Sequence, residues 1–131
     1  MGAWAVDSFG NDDALDWVAE LNDADDLSIL DETLSVVAES DEYLESPESS
    51  AAIAAAEVVA ALRGKPPVEA PDEVTEYVAR LKEKPQADLV QLALEAVERV
   101  KAKSELQELW AESDSGDAWL KVMDDLEARL R

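Results

Sequence analysis

The chain has 131 residues, with 32 Asp and Glu against 11 Lys and Arg, a formal net charge of −21, and neither Cys nor His. The missing Cys and His exclude disulfides, thiolate nucleophiles, His-based general bases and the commonest transition-metal ligand, so no cofactor is expected. Leu, Ile, Val and Phe make up 32 residues; at about 24% this lies above the roughly 20% below which so charged a chain defaults to disorder, and one packed domain spanning 1–131 is expected.

Helical spacing runs through almost the whole chain. Asn11 or Asp12 caps a first helix reaching about Leu21, with Leu15, Val18 and Leu21 at spacings of three on one side. Leu27, Leu30, Leu34 and Val37 form a second stripe. Ser46 as cap, Pro47 at the first helical position, then Gly64 and Pro66 as stop signals mark a third helix. Small residues dominate Ala51–Ala61, which suits a central helix clasped closely by its neighbours.

Pro71 opens a fourth helix with Val74, Tyr77, Val78 and Leu81 inward. Pro85 opens a fifth, lined by Leu89, Ala93, Ala96, Val97 and Val100. Ser104 with Gln107 is a capping-box pattern for a short sixth helix carrying Leu106, Leu109 and Trp110. After a break at Ser113–Gly116, a last helix places Trp119, Leu120, Met123, Leu126 and Leu130 inward. The expected fold class is all-α, a single compact bundle of about six or seven short helices.

Charge is unevenly placed. Residues 1–62 hold 16 acids and no base, whereas residues 63–131 hold 16 acids and 11 bases. Such a one-sign half repels nucleic acid and anionic membrane, and steers a basic protein towards itself. No apolar run approaches the roughly 20 residues of a membrane span, and the N-terminus has no basic signal-peptide region. A cytoplasmic, soluble protein is the simplest expectation, with a monomer favoured.

Two places hold candidate functional residues. In FGNDDALDWVAEL, Asn11, Asp12 and Asp13 suit a helix start, where they satisfy free N–H groups and the helix dipole; Asp16, Trp17, Phe9 and the upstream Trp4 are not explained that way. Neither DSFGNDD nor NDADDLSILDE has the ligand spacing of an EF-hand. Glu57 projects from an almost wholly apolar sector, so it must be paired or hydrogen-bonded, with Arg99, Lys101 or free N–H groups near Trp4 as expected partners. The four Trp lie near the two chain ends, and a shared cluster of the terminal segments is expected.

MGAWAVDSFGNDDALDW, YLESPESSAAIAAAEVVAALRGKP and SELQELWAES together resemble a bacterial family known as domain of unknown function 4259, whose members open with a Gly-x-Trp-Gly-x-Gly-x-Phe-x-Asn-Asp pattern. Matching positions include Gly2, Trp4, Phe9, Asn11, Asp12, Ala14, Asp16 and Trp17, then Leu44, Pro47, Ala55, Ala56, Glu57, Ser104, Leu106 and Trp110. Ala5 and Asp7 stand where the pattern has Gly. The resemblance implies a shared fold and carries no activity.

Three functions are weighed. The first is a non-catalytic domain that neutralises a basic protein such as a toxin or nuclease, in the manner of an immunity protein or antitoxin; Asp12, Asp13, Asp16, Asp23, Asp25, Asp26, Asp41 and Glu42 would face that partner. The second is a small ligand-binding or carboxylate-based enzyme domain in which Asp12, Asp16 and Glu57 converge in a pocket. The third is an acidic self-associating scaffold. Charge asymmetry and the shortage of catalytic residue types favour the first.

Overall fold

A computed structural model describes residues 8–67 and 70–131. Among them are seven α-helices: α1 Asp12–Glu20, α2 Ser28–Ala38, α3 Ser46–Leu62, α4 Asp72–Leu81, α5 Ala87–Ala102, α6 Glu105–Ala111 and α7 Gly116–Leu130, with a 3-10 turn at Leu21–Asp23 between α1 and α2. The bundle is all-α, and α3 is its axis, packed by α1, α2, α4, α5, α6 and α7. Ala52, Ala54, Ala55, Ala56 and Ala60 are fully buried, and their single methyl groups let the neighbouring backbones approach closely. One hydrophobic cluster extends in sequence from Phe9 to Leu130.

Local signals explain the helix ends. Asn11 is extended (φ −155°, ψ 159°), and its side-chain oxygen accepts the Ala14 N–H at 2.8 Å, the geometry of an N-cap. Ser104 does the same for α6, accepting from Gln107 N at 3.0 Å while its hydroxyl donates to Val100 O at 2.8 Å. At α3 the cap is Glu45 rather than Ser46: the Ser46 N–H goes to Glu105 Oε1 at 2.7 Å, and the Glu48 carboxylate accepts the Glu45 N–H at 2.6 Å. Beyond α3, Gly64 takes φ +88°, a left-handed turn that a Cβ would strain. A Cβ on Gly116 would meet Trp110 O at 2.7 Å, so a side-chain-free residue lets α7 start hard against the end of α6.

Several faces differ from the expected ones. The buried side of α1 is Ala14, Trp17 and Val18, followed by Leu21, and Leu15 is 42% exposed. This is the i, i+3, i+4, i+7 pattern, with a small Ala where a large residue was expected. On α7, Leu120 is exposed and Glu127 is buried in its place; on α6, Leu109 is only partly buried. Among the described residues no helix is long and apolar enough to cross a membrane.

Candidate functional site

Glu57 occupies the middle of the axial helix with only 1% of its surface exposed. Its carboxylate receives two guanidinium N–H groups of Arg129, at 2.7 Å on Oε1 and 3.2 Å on Oε2, and the Ser8 hydroxyl at 2.6 Å on Oε2. The Arg129 fork is filled from its other side by Asp125 Oδ2 at 2.8 Å and Lys65 O at 3.3 Å. Burial works against the charged guanidinium, but hydrogen bonds and attraction from Glu57 and Asp125 outweigh it and hold Arg129 above its ordinary pKa. Thus three chain segments meet at one carboxylate: the approach to α1, the centre of α3 and the end of α7. The expected partners Arg99 and Lys101 are corrected to Arg129 and Ser8. Lys101 instead pairs with Asp124 at 2.9 Å and Glu127 at 2.5 Å, and these hydrogen bonds, Glu127's first, raise its pKa.

Asp12 and Asp16 stand exposed on α1 while Glu57 is buried and bridged, so these three carboxylates do not share one environment. Among the described residues no group of three or more acids gathers closely enough to hold a metal ion. Asn11 is spent on its cap, and Phe9 is in the core. Trp4 and the departures at Ala5 and Asp7 lie outside the described residues.

Trp17 is 5% exposed and points its indole N–H at Thr33 Oγ1, 2.8 Å away on α2, which fixes α1 against α2. It is therefore a packing residue and not an exposed anchor. Trp110 and Trp119 line a cavity of about 10 Å³ with Ser8, Asn11 and Ser50, so the N-terminal segment does meet the last two helices, with Trp17 turned elsewhere.

The remaining candidate acids divide by what surrounds them. Asp23 and Asp25 are exposed beside the 3-10 turn. That turn is clamped from α4: Arg80 Nη2 donates to Leu21 O and Ala24 O, both at 2.9 Å, and the Tyr77 hydroxyl donates to Asp26 O at 2.7 Å. The Asp26 carboxylate accepts the Ser28 hydroxyl at 2.6 Å and the Ser28 N–H at 3.0 Å, which lowers its pKa and makes it a helix-start residue. Asp41 and Glu42 line a cleft of about 350 Å³ together with Tyr43, Arg99, Ala102 and Lys103. Tyr43 is 51% exposed, and its hydroxyl donates to Glu108 Oε2.

Sequence reasoning missed Ser8, Arg129, Glu127 and this cleft. Only Glu127 had a local signal, its i+4 relation to the buried Met123 and its position one turn before Arg131; the others depend on which segments the fold brings together.

Fold and interior define an all-helical bundle with a buried Glu–Arg–Ser knot at its axis. The family model described as Domain of unknown function (DUF4259) matches residues 2–122, and the chain belongs to that family. Comparison with curated proteins and with solved structures gave no significant match. Most positions that carry the resemblance are interior ones, including Phe9, Asn11, Ala14, Trp17, Leu44, Ala55, Ala56, Glu57, Ser104, Leu106 and Trp110. What these interior positions specify is packing, which accounts for a shared fold.

Proposed function

We propose that this domain is a non-catalytic binding module that neutralises a basic protein partner, in the manner of an immunity protein or antitoxin. One observation supports the reading above the others. Among the described residues, no carboxylate between Asp12 and Glu48 forms an ion pair, whereas the bases that approach acids within 4 Å, Lys101, Arg129 and Arg131, all serve Glu57, Asp124, Asp125 and Glu127. The acids of α1 and α2 therefore keep their field, reduced at their connection by the single charge of Arg80, and that field steers cationic proteins and speeds their association.

The surface that fits this role best is Asp12, Asp13, Asp16, Asp23 and Asp25, with the half-exposed Leu15 among them. Asp26 is already engaged by Ser28, and Asp41 and Glu42 are flanked by Arg99 and Lys103. The test is retention of native-cell proteins on the immobilised domain at low and high salt. A basic protein should be held at ~0.01 M salt, where the screening length is about 30 Å, and released at ~1 M, where it is about 3 Å. A variant with Asp12, Asp16, Asp23 and Asp25 changed to Asn should lose most of that retention. Equal retention by the variant, or no basic protein held at low salt, rejects the proposal.

A further inference from the structure

In the cleft between the α2–α3 connection and the C-terminal end of α5, acids of the first half of the chain and bases of the second line one open space. Asp41, Glu42 and Tyr43 line it from the connection, Arg99 and Lys103 from the end of α5. Its volume of about 350 Å³ is at the lower end of the roughly 300–1,000 Å³ typical of small-molecule sites. None of these four charged side chains forms an ion pair among the described residues. Lys101, two residues beyond Arg99 on the same helix, by contrast binds two acids at once. Arg99 is partly buried and lines the cleft.

Tyr43 exposes half its surface, and its hydroxyl donates to Glu108 on α6. A half-exposed Tyr has few rotatable bonds to order when a ligand packs on it.

We propose that this cleft binds a small zwitterion of the α-amino-acid class. Its ammonium is taken by Asp41 and Glu42, its carboxylate by the Arg99 fork and Lys103, and its side chain lies against the Tyr43 ring. Bidentate guanidinium–carboxylate recognition is strong and geometrically selective, which suits Arg99 to the carboxylate end. A purely cationic ligand would meet Arg99 and Lys103, and a purely anionic one would meet Asp41 and Glu42; only a ligand with both charges satisfies both walls. This site is separate from the α1–α2 surface assigned to the protein partner, and neither proposal depends on the other.

The test is an NMR titration of the intact domain with glycine and L-phenylalanine, and with N-acetylphenylalanine and phenylalanine amide, which lack the ammonium and the carboxylate respectively. Saturable shifts at Tyr43 and Arg99 are expected for a free amino acid, with at least ten-fold weaker binding of both blocked derivatives. Arg99→Gln and Glu42→Gln should each weaken binding at least ten-fold while the circular dichroism spectrum stays that of the parent. The proposal is overturned if neither amino acid gives a saturable response, if a blocked derivative binds as well as its parent, or if the folded variants bind normally.

Discussion

Glu57 is surrounded by alanines on its own helix, and what replaces its lost water comes from residues 49 positions before it and 72 after it, Ser8 and Arg129. Removing one member of a buried ion pair leaves the other stranded, at about 3–5 kcal/mol, whereas replacing both with apolar or neutral groups costs far less. Arg129→Met strands Glu57 with only Ser8 and should cost within that range in urea denaturation. Glu57→Gln keeps the Ser8 hydrogen bond and leaves Arg129 its Asp125 partner, so its cost should be about 1–3 kcal/mol. The double variant should be more stable than Arg129→Met alone, a sign of direct coupling. That Glu57 needed a partner was legible in the sequence, because an acid in an apolar sector has few other options. Which partner was not, since Arg99, Lys101 and Arg129 are equivalent until the last helix is placed.

The two tyrosines offer a second test at this scale. Burial, helped by the nearby Asp26, pushes Tyr77 up to about 12, and the hydrogen bond to Glu108 pushes Tyr43 up to about 12. A phenol whose folded pKa exceeds its unfolded value of about 10 adds stability that is whole below pH 10 and is lost as pH rises through 12. The urea midpoint should therefore fall between about pH 10 and 12. The chain has no other Tyr, so phenolate absorbance should appear late in the native protein and near pH 10 in denaturant. An early native titration of both would contradict the burial of Tyr77.

At the scale of elements, α4 acts as a clamp on the acidic connection between α1 and α2. The carbonyls of Leu21 and Ala24 lie at the 3-10 turn, where Leu21 O already accepts the Ala24 N–H, and Arg80 supplies one guanidinium to both. Arg80→Ala should cost about 1–2 kcal/mol and speed amide exchange across residues 21–26, with less change in α3. Uniform acceleration through the whole bundle would show that α4 is not a local clamp. Helix number and order were legible because Asn11, Pro47, Gly64, Pro71 and Ser104 punctuate the chain by local chemistry. Faces were legible where bulky residues mark them, as on α5. They were misread on α1 because Ala14 contributes nothing to a count of large apolar residues, although its position beneath α3 is fully buried. The α3 cap was misread because Ser46 spends its N–H on Glu105, a contact made across 59 residues.

Across the whole molecule, two electrostatic regimes coexist. Near the ends of α5 and α7, Lys101, Arg129 and Arg131 offset neighbouring acids at close range; along α1, α2 and their connection, carboxylates face solvent with no described base paired to them. With a net charge of −21, repulsion summed over many acids outweighs the exposed pairs, which contribute only about 0–1 kcal/mol each, while the buried Glu57–Arg129 pair is little screened by salt. Salt should therefore stabilise the fold. Raising NaCl from ~0.01 M to ~0.5 M shortens the screening length several-fold, and relief of about 1–2 kcal/mol would raise the melting temperature by roughly 3–10 °C. A melting temperature that falls with salt would mean that the ion pairs dominate and that the open acidic side costs the fold little. The same salt that firms the domain should dissolve its complex with a basic partner, since attraction across the interface and repulsion within the surface come from the same carboxylates. Opposite salt responses of stability and association, measured on one preparation, separate this reading from an apolar docking surface, whose binding salt would leave intact or strengthen.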